Sequence, residues 1–289
     1  MGPLHIVRTR VGDAIFARVA GDEGPARRDR IHFAEGPRRF APGSAIHVVH
    51  SDASMFVGGI RALLLQSLHP LAMAAVDAHS GFRGDPWGRL QRTSTFLAET
   101  TFGTDADADR AIAVVRSVHE RVRGTAPDGR PYVASDPHLI RWVHVAEIDS
   151  FLRAHDRYGA EPLDAAGRDA YVADTAHVAR ALGAVDVPET VADLDRVLAE
   201  YRPELEATPA ARQAARFILV RPPVPLVLRA PYGLLSAAAV AMMPRWTRWP
   251  LRLPWLPVTE ATTVRASGTV MTGAIRWALG SAPPLPELT

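Results

Sequence analysis

The residue types best suited to chemistry in this sequence are concentrated in one polar stretch, GRLQRTSTFLAETTFGT, at residues 88–104. Its spacing predicts a helix, because one face collects the positions i, i+4, i+7 and i+11, which are Arg89, Thr93, Phe96 and Thr100. A buried guanidinium is costly unless it is paired, and no acidic residue occurs in the stretch before Glu99. This face therefore indicates either a helix held by an internal salt bridge or a helix turned towards an anion or a cofactor.

Arg92 adds a second cation one helical turn from Arg89. The candidate partners of the two guanidinium groups are Asp77, Asp85 and a bound anion. The carboxylate of a cofactor is a suitable anion, since arginine binds such groups with two parallel hydrogen bonds. In each case the partner must come from outside the first turns of the helix.

Two histidines occupy apolar helical faces. His119 follows Ile112 and Val115 at helical spacing, and His144 follows Ile140 in the same way. Each ring is either a satisfied interior histidine or a ligand to a buried group. Periodicity alone favours the interior histidine and leaves both interpretations open.

Two further histidines flank the apolar run PLAMAAVDA. His69 precedes Pro70, where the helix is expected to break, and its ring can bind a freed carbonyl or face a pocket. His79 ends the run, where an imidazole suits the helix dipole. A direct functional role is the less favoured interpretation for both rings.

The elements that carry these residues are predicted to be helices. Helical signals cover 52–79 with a break at Pro70, 86–102 after an N-cap at Asp85, 105–123, Asp136 to Tyr158, 164–182, 188–206, 208–220 and 259–279. The best strand candidate is IHVVH at 46–50, and TAPDGRPY reads as a turn-rich loop. The simplest architecture is one all-α domain over residues 1–289, with the Pro- and Trp-rich segment 221–258 packed over it and a frayed tail at 281–289.

The composition removes several classes of chemistry. The 289 residues contain no cysteine, lysine or asparagine, which excludes thiolate ligands, disulfides, lysine Schiff bases and N-glycosylation. The net charge is only +2 and no known nucleic-acid-binding motif occurs, which argues against a nucleic-acid partner. The N-terminus lacks the apolar core of a signal peptide, and the apolar run 233–243 is too short to span a bilayer. The sequence thus predicts a cytoplasmic protein with no transmembrane segment, and it leaves the oligomeric state open.

Several linked motifs resemble a known family. The runs RALLLQSLHPLAMAAVDAHSGFRGDPWGRLQRTSTFL, TFG and VHERVRGTAPDGRPYVASDPHLIRWVHVAEIDSFL are similar, in this order, to the haem-binding oxygenases that include fungal MpaB and the catalytic domain of latex clearing protein, a rubber oxygenase. The similar block covers roughly residues 52–160, and RPPVPLVLRAPYGLLSAAAVAMMPRW resembles bacterial members more loosely. The resemblance implies an all-α fold with a globin-like core around haem b.

The resemblance also implies roles for individual residues. The family motif Arg-x-x-Lys-Thr corresponds to RLQRT, in which Arg89 and Thr93 match and Arg92 replaces the lysine. Arg89 and Thr93 are then expected to line the haem pocket as catalytic residues, and Arg92 to pair with a propionate. His119 corresponds to the proximal ligand of the haem iron, and His69 and His144, which occur in typical family motifs, are further candidates for cofactor binding.

The expected function is a haem b-dependent oxidoreductase or oxygenase that uses O₂ or peroxide on a small hydrophobic substrate, with segment 221–258 as an apolar lid. One departure matters, because the position of the rubber oxygenase's catalytic glutamate falls near Met73, and cleavage of polyisoprene is therefore not expected. Two alternatives remain. One is a non-enzymatic haem or gas-binding module. The other is a haem-free helical protein that binds a lipid-like ligand and holds its carboxylate with the arginines.

Overall fold

The computed structural model describes residues 3–21, 23–79 and 84–280, and these are almost entirely helical. The α-helices are α1 (Pro3–Ala20), α2 (Gly24–Phe33), α3 (Ala45–Ser51), α4 (Met55–Gln66), α5 (Pro70–His79), α6 (Pro86–Phe102), α7 (Asp105–Arg121), α8 (Pro137–Tyr158), α9 (Ala165–Leu182), α10 (Val191–Tyr201), α11 (Pro209–Val220), α12 (Arg229–Ala241), α13 (Arg245–Arg248), α14 (Pro257–Thr259) and α15 (Arg265–Leu279). Two antiparallel strands, β1 (Arg123–Thr125) and β2 (Pro131–Val133), form a hairpin between α7 and α8. The prediction of an all-α fold is confirmed.

Helices α4 and α8 form the centre of the molecule. They approach closely at Gly58, where a Cβ atom would lie 2.8 Å from Phe151 Cδ1. Helix α8 buries side chains around its whole circumference, including Trp142. Arg61 of α4 forms a buried ion pair with Asp149 of α8 at 2.7 Å. The central pair is therefore fixed by close backbone packing and by one charge pair.

The C-terminal part of the chain packs around this centre. Helix α12 lies against α4 and α15, and α15 also contacts α1. Arg276 of α15 donates two hydrogen bonds to the Asp52 carboxylate and a third to the backbone oxygen of Tyr158. These contacts connect the last helix to the chain just before α4 and to the end of α8.

Local capping explains where the helices begin. The Asp85 carboxylate accepts a hydrogen bond from Gly88 N at 2.8 Å, and Pro86 occupies the first turn of α6. Asp136 caps α8 in the same way, and that helix ends before Gly159. Thr104 and Asp107 form a capping box at the start of α7. The predicted helix starts at Asp85 and Asp136 and the predicted end at Gly159 are thus confirmed.

Other boundaries differ from the predictions. The strand predicted at 46–50 is wrong, because these residues belong to α3, which packs against α9 and α8. A run of five β-branched and polar residues suits either structure, and tertiary packing decides. Residues 3–33 form two helices that were not predicted, and the TAPDGRPY loop lies between paired strands. The predicted tail at 281–289 lies outside the described residues.

In the described part of the chain, no single helix is long and apolar enough to cross a bilayer. By length and composition alone, the bent pair α3–α4, with 92° between its helices, passes such a test.

Candidate functional site

Helices α6 and α7 form an antiparallel hairpin joined by Gly103 and Thr104. Arg89 and His119 lie at nearly equal chain distances from this turn, one on each helix. Because every helical residue advances the chain by the same rise, we expect the two residues at a similar height along the hairpin. The same relation matches Thr93 with Val115. Counting from the turn thus pairs the RLQRT motif with His119.

Side chains of α6 and α7 are buried near the turn and more exposed away from it. Thr100 and Thr101 of α6, and Ala108 and Ile112 of α7, are buried. Arg89, Val115 and His119 are only partly buried, and Thr93 is exposed. We refer to this more exposed end, with Arg89, Thr93, Val115 and His119, as the hairpin groove.

The two arginines of the motif have different surroundings. Burial lowers the pKa of the Arg89 guanidinium, and the charge of Arg92 lowers it further. Arg92 itself is 65% exposed and pairs with Asp85 at 3.3 Å. Asp85 was one of the predicted partners. Thr93 donates its hydroxyl hydrogen to the backbone oxygen of Arg89, one turn earlier.

His119 lies in the last turn of α7. Burial lowers the pKa of its imidazole, so the ring is neutral at pH 7. Its Nδ1 atom is buried, and among the described residues it has no hydrogen-bond partner. A buried polar atom without a partner costs free energy, and His32, His69, His144 and His155 also carry such atoms.

His144 of α8 lies near the same end of α9 as the hairpin groove. Burial lowers the pKa of His144 to about 3, and the Arg180 charge of α9 contributes. Arg116, one turn before His119, donates to the backbone oxygen of Ala181 at 3.4 Å. His119 and His144 are therefore both close to the C-terminal end of α9. The His144 Nε2 atom is also buried and, within the described ranges, without a hydrogen-bond partner.

Glu147 was not predicted from the sequence. It lies one turn after His144 on α8, and burial alone raises its pKa to about 7. A carboxyl group three residues after an interior histidine is the signal that could have identified it. Half of such groups carry a proton at neutral pH, which suits a group that donates or accepts one.

A buried hydrogen-bonded chain connects three helices beside these residues. His50 Nδ1 of α3 lies 2.8 Å from Thr101 Oγ1 of α6, and His50 Nε2 lies 3.2 Å from the hydroxyl of Tyr171 on α9. Burial lowers the pKa of His50 to about 3, and burial together with the Glu147 and Asp149 charges raises the pKa of Tyr171. The chain is therefore uncharged at pH 7. No sequence pattern indicated it, because its members lie on three separate elements.

His69 has different neighbours. Its ring packs against Trp142 and Tyr201, and its Nε2 atom is 3.6 Å from Glu204. Trp142 and His144 are two residues apart on α8, which places them about 200° apart around the helix. His69 thus contacts the opposite side of α8 from His144. His79 contacts the Tyr132 hydroxyl at 3.2 Å.

The segment predicted as a lid has a regular structure. Residues 229–241 form α12, which packs on α4 and α15. The first residues of segment 221–258 reach the start of α6, where Trp87 Nε1 donates a hydrogen bond to the backbone oxygen of Pro223 at 2.9 Å. Met73 is buried in the core, so the position of the rubber oxygenase glutamate supplies no carboxylate.

A cavity of about 760 Å³ lies between α8, α10 and α12. Its charged lining is largely paired, since Arg61 contacts Asp149 and Arg153 contacts both Asp149 and Asp195. The cavity faces the Asp149 side of α8, away from Glu147.

Residues 47–277 match the family model described as ER-bound oxygenase mpaB/B'/rubber oxygenase, catalytic domain. The chain belongs to this family. The chain is also 35% identical over 113 residues to an uncharacterised protein of Mycobacterium bovis and, equally, to one of Mycobacterium tuberculosis. Each alignment covers 39% of this chain and 42% of the relative's length. The comparison with solved structures gave no significant match.

The family model describes an oxygenase catalytic domain. The matched range contains α4 to α12 and therefore the whole hairpin groove, His144 and Glu147.

Proposed function

We propose that this chain is a haem b-dependent oxygenase whose haem lies in the hairpin groove, with His119 as the axial ligand of the iron. The observation that carries the proposal is the state of the His119 ring. Burial lowers the pKa of its imidazole, its Nδ1 is buried without a partner among the described residues, and the residue lies about as far from the α6–α7 turn along the chain as Arg89 does. A neutral imidazole is the form that binds iron.

The residues around the groove fit a haem group. Haem carries propionates, and the groove offers Arg89 on its wall and the exposed Arg92 at its edge. Leu90 adjoins Arg89 and Val118 adjoins His119, at nearly equal chain distances from the turn. The two residues are 37% and 44% exposed, respectively. These apolar side chains are available to cover a porphyrin edge or a hydrophobic substrate.

Bound haem would supply the redox chemistry that activates O₂ or peroxide. The protein's own contributions are binding and orientation. His119 would hold the iron, Arg89 would donate hydrogen bonds to a propionate or to a polar group of the substrate, and Thr93, one turn from Arg89 on the same helix, would supply a hydroxyl. His144 lies near the C-terminal end of α9, and Glu147, one turn further along α8, can hold or release a proton near neutral pH. We assign them a supporting role and leave His69 outside this site.

The substrate class follows from what lines the groove and from what is missing. Apolar side chains favour a small hydrophobic organic molecule over a charged one. The buried Met73 replaces the glutamate expected for a rubber oxygenase, so we do not expect cleavage of polyisoprene.

The absorption spectrum of the purified full chain, produced in haem-supplemented cells, tests the cofactor. We expect a Soret band at about 400 nm that shifts on reduction with dithionite. His119→Ala should lose or shift this band, and His177→Ala, which changes an exposed histidine of α9, should not. A colourless wild-type protein would refute the cofactor. A His119→Ala spectrum identical to the wild type would refute the ligand.

Oxygen uptake with a panel of small hydrophobic substrates tests the catalytic assignment. Thr93→Val should lower the turnover while the Soret band persists. Thr269→Val is the matched control, because Thr269 is exposed on α15 and its hydroxyl also donates to a backbone oxygen one turn earlier. Equal turnover in the two variants would exclude Thr93 from the site.

A further inference from the structure

Three potential metal ligands meet at the junction of α5, α8 and the turn after α10. They are His69, just before α5, His138, in the first turn of α8, and Glu204, in the 3₁₀ turn Arg202–Glu204. One donor atom from each lies within 4.8 Å of the other two. Two imidazoles and one carboxylate form a donor set typical of zinc and other first-row divalent cations.

Neighbouring contacts hold this junction in place. The backbone N–H of Glu206 donates to the Leu68 oxygen at 2.7 Å, which fixes the 3₁₀ turn beside His69. The Tyr201 hydroxyl donates to the backbone oxygen of His138 at 2.8 Å and lies 3.3 Å from His138 Nδ1. Support of the second ring nitrogen is what orients a metal-binding imidazole. Hydrogen bonds to backbone atoms next to His69, His138 and Glu204 thus help to hold the three side chains together.

His69 is the residue that its protein neighbours leave unsatisfied. Its side chain is 2% exposed, and its buried Nε2 atom has no hydrogen-bond partner among the described residues. The nearest carboxylate oxygen, Glu204 Oε2, is 3.6 Å away, beyond hydrogen-bonding distance. Ligand atoms on one tetrahedral metal with bonds of about 2.0–2.1 Å lie about 3.3 Å apart, close to this separation.

The other two ligands are mobile enough to complete the geometry. Glu204 Oε2 lies 2.8 Å from His138 Nε2, and the two side chains are 44% and 46% exposed. A shift of a few tenths of an ångström brings these two atoms to the separation of two ligand atoms on one metal ion. The Nδ1 atom of His69 lies 3.5 Å from Ala72 N, at the limit of a hydrogen bond, and coordination through Nε2 moves the ring proton to Nδ1 at the expense of this long contact.

We propose that His69, His138 and Glu204 form a binding site for a divalent transition-metal cation, with Zn²⁺ as the reference ion. The exposed side of the site leaves at least one coordination position open to water or to a ligand. The site is separate from the hairpin groove, because His138 and His144 lie on different sides of α8. It does not depend on the haem proposal.

Titration calorimetry with Zn²⁺ alone, on the full chain dialysed against a chelator, tests the site. We expect one equivalent to bind to the wild type. Glu204→Gln and His138→Ala change exposed side chains and should each weaken binding by at least about 100-fold, since even loss of an outer-shell partner costs about 10–100-fold. Glu206→Gln is the control, because this exposed carboxylate lies two residues away.

A spectroscopic measurement separates specific coordination from loose surface binding. Co²⁺ in the wild-type site should give visible bands of four-coordinate geometry, and these should be absent from Glu204→Gln and present in Glu206→Gln. His69→Ala removes the buried ligand, and circular dichroism would establish whether that variant folds. Wild-type affinity in Glu204→Gln and His138→Ala, or no binding to the wild type, would overturn the proposal.

Discussion

Replacing Glu147 with glutamine should make the protein more stable at alkaline pH. Glu147 lies inside the protein on α8, and burial raises its pKa from 4.5 to about 7. The folded protein therefore favours the protonated carboxyl. The unfolded chain releases its proton near pH 4.5, so wild-type stability declines as pH rises from 4.5 through 7. Glutamine keeps the shape of the neutral side chain and removes this dependence.

The size of the effect follows from the two pKa values. A difference of about 2.5 pKa units corresponds to about 3 kcal/mol once both states are fully titrated. At pH 5 most of this cost is still absent. The advantage of Glu147→Gln over the wild type should therefore widen by about 2 kcal/mol between pH 5 and pH 8. A pH-independent offset from altered packing does not change this difference.

Urea unfolding followed by circular dichroism at several pH values measures the effect. The wild type and the variant are compared at each pH, so that other titrating groups cancel. Glu120→Gln, at an exposed carboxylate of α7, serves as the control and should show no widening. If the gap between wild type and Glu147→Gln stays constant from pH 5 to pH 8, the carboxyl is ionised in the fold and the reasoning about its burial is wrong.

Three other substitutions have definite expected outcomes. Burial lowers the pKa of His144 to about 3, so the wild type loses stability as pH falls below 6.5. His144→Gln should reduce this loss by about 3 kcal/mol between pH 8 and pH 4, measured by urea unfolding at each pH. Arg61→Leu removes the buried partner of Asp149, which keeps its contact with Arg153, and should cost about 1.5–3 kcal/mol in urea unfolding, the range for a hydrogen bond to a charged group. Asp85→Ala removes the cap of α6 and should cost about 1 kcal/mol in the same assay.

Helix starts were predictable because their chemistry is local. Asp85 and Asp136 each precede a proline and accept a hydrogen bond from a backbone N–H within three residues, so a short stretch of sequence contains the whole signal. Segment 46–50 lacks such a signal. Its helical structure depends on packing against α8 and α9, which no local pattern contains.

The site was predictable only in part. Helical spacing and the resemblance pointed to Arg89, Thr93 and His119, and the hairpin brings these three residues to one end of α6 and α7. Spacing suggested a buried face for Thr93, but the residue is exposed. Glu147 and the chain from Thr101 through His50 to Tyr171 depend on contacts between distant segments. No single-sequence pattern specifies such contacts.

The polar residues of α8 differ in whether they have hydrogen-bond partners. This helix is buried all round, so each polar side chain on it needs a partner. Asp149 has Arg61 and Arg153, and His138 has Glu204 and the Tyr201 hydroxyl. On the α9 side, His144 Nε2 has no partner among the described residues, and burial is the one cause of the raised Glu147 pKa. Arg141 Nε and both ring nitrogens of His155 are also buried without a partner among the described residues, so unmet hydrogen-bonding capacity extends along α8 from Arg141 to its C-terminal end.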